Sequence, residues 1–121
     1  MIDQDKKADS SELEKSKAHI IVEIIEYMTN SVVIKTIIKK STGNISVMSF
    51  DSGEVLAERT CPFDTFAQII EGKAEVVVEG VLHHLEAGQG IIIPAYASNM
   101  LQAKERFKMI QTIIRTDGNN D

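Results

Sequence analysis

The sequence predicts an all-β domain, either a closed barrel or a two-sheet sandwich, on three observations. Turn glycines at Gly72, Gly80 and Gly88 recur every eight residues, a spacing that suits short antiparallel strands. Ser31 to Lys40 is rich in Val, Ile and Thr and alternates apolar with polar, as a strand should. At 121 residues and 43% hydrophobic, the chain can bury one core and is too apolar to be disordered. An immunoglobulin-like sandwich is the rival topology, but there is no tryptophan and no cysteine pair to support it.

The elements follow in order. Residues 1–17 are charged and polar and are expected to form a flexible tail. Within it, Ser10 or Ser11 offers a cap for a short helix reaching Lys17. Residues 18–115 form the expected barrel domain. Ile20 to Tyr27 is apolar, and helix and strand compete there. Ser31 to Lys40 predicts a strand with Val32, Ile34, Thr36 and Ile38 on one face and Lys35 and Lys39 on the other. Ser41-Thr42-Gly43-Asn44 is a turn cluster, and Ile45 to Phe50 predicts the next strand, stopped at Asp51-Ser52-Gly53. Three short strands follow: Phe66 to Ile70, Ala74 to Val78 with Glu75 exposed, and Val81 to Leu85. Ile91 to Ile93 predicts a buried strand cut off by Pro94. Phe107 to Arg115 predicts the last strand, with Phe107, Met109, Gln111 and Ile113 on one face. Residues 116–121 are polar and expected to be a second flexible tail.

Composition narrows the function classes. The formal net charge is −5, whereas a protein that grips phosphates usually carries a basic stripe. Lys35 to Lys40 reads instead as a strand with lysines on its wet side, so no nucleic-acid partner is expected. No apolar run approaches the roughly 20 residues that span a bilayer, and Met1 to Lys17 is unlike a secretory signal. Cys61 is the single cysteine, so no intrachain disulfide can form. The expected location is cytoplasmic.

From Arg59 to Asn99 the chain resembles the two short motifs of the cupin superfamily. The first motif ends on a glycine matched by Gly72. Counting back, Thr65 stands where the acidic metal ligand would be, and Cys61 and Arg59 stand where two histidines would be. In the second motif Gly88 and Pro94 match, Tyr96 replaces a glycine and Asn99 replaces the last histidine. The segment from Arg59 through Pro62-Phe63-Asp64 to Glu75, with Phe107-Lys108-Met109, is similar to a group of small single-domain cupins. The resemblance implies a jelly-roll barrel (a double-stranded β-helix) and a homodimer. It says little about activity, because such folds host enzymes, storage proteins and sensors alike.

The resemblance also implies a site inside the barrel, and there the donors are changed. Imidazoles and a carboxylate would hold a divalent metal. Arg59 is cationic and repels one, Thr65 and Asn99 are weak neutral donors, and Cys61 alone is a poor ligand. His83 and His84 are adjacent and point to opposite faces of a strand, and His19 lies far off in sequence. No metal, no cofactor and no catalytic residue is therefore expected. The cavity candidates for ligand binding are Arg59, Cys61, Thr65, Asn99, Tyr96 and Gln68. Each has a plainer role as well. Arg59 can pair with Glu58, Asp64 or another carboxylate at the rim, and Cys61 can be a small apolar residue instead of a nucleophile. Asp64 can form a turn, Tyr96 can pack on the rim, and Gln68 can bond Gln111 or nearby backbone. The function expected is a domain that binds a small polar or carboxylate ligand. The alternatives are a metal-dependent cupin enzyme, of the isomerase or dioxygenase type, with an atypical site, and a structural homodimer with a filled cavity.

Overall fold

The β-branched stretches pair into two antiparallel sheets that share one long strand. The computed structural model describes residues 8–9 and 11–115. The strands are β1 (Ala8–Asp9), β2 (Val32–Lys40), β3 (Gly43–Phe50), β4 (Val55–Arg59), β5 (Asp64–Val78), β6 (Val81–Glu86), β7 (Gly90–Ile93), β8 (Asn99–Gln102) and β9 (Phe107–Ile114). The first sheet runs β1-β2-β3-β9-β5-β7, with β1 parallel to β2 and every other pair antiparallel. The second runs β6-β5-β8-β4. The sheets face each other and close over an apolar core, which makes a curled barrel.

Strand β5 joins the two. Its first half pairs with β9 and β7, and its second half pairs with β6 and β8. The change comes at an irregularity between Ile69 and Glu71, followed by Gly72 at φ +79°. Only glycine adopts this left-handed conformation without strain. A side chain there would also collide with the Arg106 carbonyl oxygen. The stretch read as two strands divided at Gly72 is therefore one bent strand: Ile70 is passed over in the pairing with β9, the strand bends there, and pairing continues on both sides of it. Gly80, by contrast, ends its strand as expected. Glu79 and Gly80 both have positive φ (51° and 80°), which suits a two-residue hairpin turn.

Other expectations change as well. A bulge between Thr36 and Ile38 moves Ile38 opposite Ile45, so it leaves the face it was expected to share with Val32, Ile34 and Thr36. Glu75, expected exposed, is only 8% exposed. Strands β4 and β8 are additions to the expected set, since Asn99-Met100-Leu101-Gln102 lacks β-branched residues. The segment from Ile20 is neither long helix nor strand. It forms a 3-10 turn at Ile21–Glu23 and then lies across the first sheet, burying Ile25. No helix forms at residues 11–17. There, the Leu13 amide bonds the Ile37 carbonyl at 3.2 Å and Glu12 accepts the Lys39 amide at 2.7 Å, so the segment runs along β2. The remaining residues of the expected tails, 1–7, 10 and 116–121, lie outside the described residues.

The core packs side chains from both sheets. Phe50 and Phe107 stack with ring centroids 4.4 Å apart, and Met48, Ile69, Val76, Leu101 and Met109 close around them, each at most 1% exposed. This apolar plug fills one end of the barrel. Polar residues gather toward the other end.

Candidate functional site

At that other end, the inward faces of β4, β5, β7, β8 and β9 leave a cavity of about 270 Å³. Arg59 ends β4 and sits opposite Asn99, the first residue of β8. Thr65, near the start of β5, lies between Ile93 of β7 and Ile113 of β9. Alternation along β9 puts Gln111 on the same inward face, two residues from Ile113. The loop Thr60-Cys61-Pro62 forms the remaining wall. A second loop is tied to it: the Tyr96 amide donates to the Cys61 carbonyl at 2.7 Å, and the Ala95 amide donates to Asp64 Oδ1 at 2.8 Å. Asp64 thus anchors a loop and is not a cavity residue.

Four of the six expected cavity residues, Arg59, Cys61, Thr65 and Asn99, line this one space. The other two do not. Gln68 follows the inward Ala67, so its side chain falls on the outer face, in a groove with Phe66 and Ile110. It cannot meet Gln111, which points inward. Tyr96 is 73% exposed and holds φ 68°, the left-handed conformation that a glycine would take at this motif position. Its backbone shapes the rim while its ring stands in solvent. Gln111, Ile93 and Ile113 are lining residues that the sequence reading missed. The usable signal was Gln111 itself, a polar residue on the inward face of an otherwise apolar strand.

Arg59 stands at the mouth, partly in solvent, with its Nη2 donating to Gln111 Oε1 at 3.3 Å. Desolvation lowers its pKa, offset in part by the nearby Cys61. Among the described residues no carboxylate forms an ion pair with it, so the expected pairing with Glu58 or Asp64 does not occur. Deeper in, Asn99 is 5% exposed, and its Nδ2 donates to the Arg59 and Ala97 carbonyls, both at 3.3 Å. Asn99 Oδ1 is buried and accepts nothing among the described residues. Leaving such a group unpaired costs about 1–3 kcal/mol.

The histidines stand elsewhere. His84 lies 3.5 Å from Glu75 in a groove on the outer side of the second sheet, where Lys104 and Gln102 also meet that carboxylate. His83 is half-buried on β6, and His19 bonds the Glu14 carbonyl. No group of three or more His, Cys, Asp or Glu side chains is gathered for a metal among the described residues. The divalent cation expected in barrels of this kind needs imidazoles and a carboxylate. A guanidinium, a thiol, a hydroxyl and two amides do not fit it.

No protein-family model and no curated protein matches the sequence. Solved structures do. A conserved protein of unknown function from Streptococcus pyogenes superposes with a TM-score of 0.83 at 22% identity, covering 90% of this chain and 96% of that one. A cupin superfamily protein from Desulfitobacterium hafniense gives 0.81 at 24% identity, covering 89% and 99%. An RmlC-like cupin from Shewanella frigidimarina gives 0.72 at 16% identity, covering 87% and 95%.

Proposed function

We propose that this chain, whose fold is that of the small cupins, binds a small carboxylate in its barrel and uses Arg59 as the anion anchor. One observation carries the reading: a guanidinium at the mouth of a cavity, free of any carboxylate partner among the described residues. A cation at the mouth of a cavity attracts an anionic partner, most strongly where the walls exclude water. Arg adds a planar fork of donors matched to a carboxylate. The apolar walls at Ile93, Ile113 and Pro62 suit a short aliphatic body. The binding is proposed to need neither metal nor catalysis. The donor set does not fit a divalent cation, and among the described residues that line the cavity no base stands beside Cys61 to activate it.

The filled-cavity alternative finds no support in a void of this size. The test is a titration with propionate, followed by the side-chain N–H signals of Arg59. Saturable binding is expected, weakened about ten- to a hundredfold in Arg59→Met, the worth of a charge-assisted hydrogen bond of about 1.5–3 kcal/mol. Equal propionate binding by wild type and variant would overturn the proposal. So would a stoichiometric transition metal at this cavity in protein purified without chelators.

A further inference from the structure

We infer that the ligand is a short hydroxy acid anion, with its carboxylate at Arg59 and its hydroxyl against the inner wall at Thr65 and Asn99. This rests on the carboxylate reading above and names the class of acid. The fold leaves polar groups along this wall without partners among the described residues. Thr65 is 7% exposed and lines the cavity, yet its hydroxyl makes no hydrogen bond among the described residues. Asn99 uses both amide hydrogens on the Arg59 and Ala97 carbonyls. That fixes the orientation of its amide, since the flipped form would set Oδ1 against two carbonyl oxygens. Oδ1 is therefore an acceptor without a donor. Gln111 turns its Oε1 toward Arg59, and its Nε2 has no partner among the described residues.

These groups restrict what can enter beside a carboxylate. The inner wall is neutral, and among the described residues no carboxylate lines the cavity. An amino acid would bring an ammonium with no anion to receive it, next to the guanidinium. A dicarboxylate would bring a second anion with no second cation to meet it. Burying either charge unpaired is costly. A simple alkanoate brings no such cost, but it offers no donor to Asn99 Oδ1 and no polar partner to the Thr65 hydroxyl beyond water. A hydroxyl is neutral and both donates and accepts, so it complements the unpaired acceptor and the cavity-facing Thr65 hydroxyl together. Sites built to bond a hydroxyl discriminate strongly against the analogue that lacks it.

The experiment is calorimetric titration of the full chain with a matched panel. Lactate and 3-hydroxybutyrate are compared with propionate and butyrate, with alanine and 3-aminobutyrate, and with malonate and glutarate. At least one hydroxy acid is expected to bind tenfold or more tightly than its parent acid, its amino analogue and the dicarboxylates. In Thr65→Val, checked for an unchanged melting curve, that preference is expected to shrink at least threefold. Parent acids that bind as tightly as the hydroxy acids overturn this inference and leave the carboxylate reading standing. A preference undiminished in Thr65→Val overturns the placing of the hydroxyl. If no panel member binds at millimolar concentration, both fall.

Discussion

Arg59 and Asn99 face each other across a strand pair, and each is tied to the protein in a different way. Asn99 is held by two hydrogen bonds to carbonyls and helps to fix the wall. Arg59 has one long hydrogen bond to Gln111 and no ion pair among the described residues. Removing its charge should therefore leave folding nearly unaffected. Arg59→Met is expected to change the unfolding free energy by less than about 0.5 kcal/mol in urea titration, while weakening carboxylate binding about ten- to a hundredfold. A large loss of stability would mean that Arg59 serves the fold and not the ligand. Asp51 is the contrasting residue. Its carboxylate accepts from Arg106 at 2.9 Å and from the Asn30 amide at 2.6 Å. The Arg106 hydrogen bond first, then backbone amides, hold its pKa below the ordinary carboxylate value. Since the folded pKa is the lower one, the stabilisation is complete above about pH 4 and is lost as pH falls through the folded value. Asp51→Asn should flatten the acid side of a stability-versus-pH curve, and an unchanged acid limb would refute this.

At the scale of elements, β5 decides the architecture. It passes from one sheet to the other at Gly72, where the backbone is left-handed and the Arg106 and Phe107 backbone presses close. Gly72→Ala should cost more than about 2 kcal/mol, combining backbone strain of about 1–2 kcal/mol with the displacement of β9. Gly53 is the control. It also has positive φ, but a Cβ at that position would have nothing within 4 Å, so Gly53→Ala should show the strain alone. Equal losses in the two variants, measured by denaturant titration, would show that the close approach is unimportant. The segment after Ile20 is a second such element. It is latched to the first sheet by Tyr27, which donates to Glu71 at 2.6 Å beneath Arg106 and Lys108, and by Ser49, which donates to the Glu26 carbonyl. Desolvation, then Glu71, raises the Tyr27 pKa far above its usual range, which keeps the phenol a donor.

For the whole molecule, the core and the cavity share one barrel but occupy different ends of it. The outer surface adds a third feature. Ile92, Phe66 and Ile114 share the outer face of the first sheet and are 65%, 39% and 63% exposed. An apolar face of this kind is a natural interface, and two-fold pairing is the simplest closed assembly. The homodimer expected from the sequence is therefore proposed on this face. Sedimentation of the wild type at micromolar concentration should give a dimer, and Phe66→Lys should give a monomer. A wild-type monomer would end the proposal.

Strand content, the turn at Gly80 and four of the cavity residues were legible along the chain. They follow from local periodicity, from the backbone preferences of glycine and from the spacing of two motifs. That Gly72 bends a strand instead of ending it was not legible, because the answer depends on partners more than thirty residues away. The same holds for Gln68 lying outside and Gln111 inside, for the burial of Glu75, and for Arg59 finding no carboxylate among the described residues. Which polar groups remain unpaired is a property of packing between strands, and no single segment encodes it.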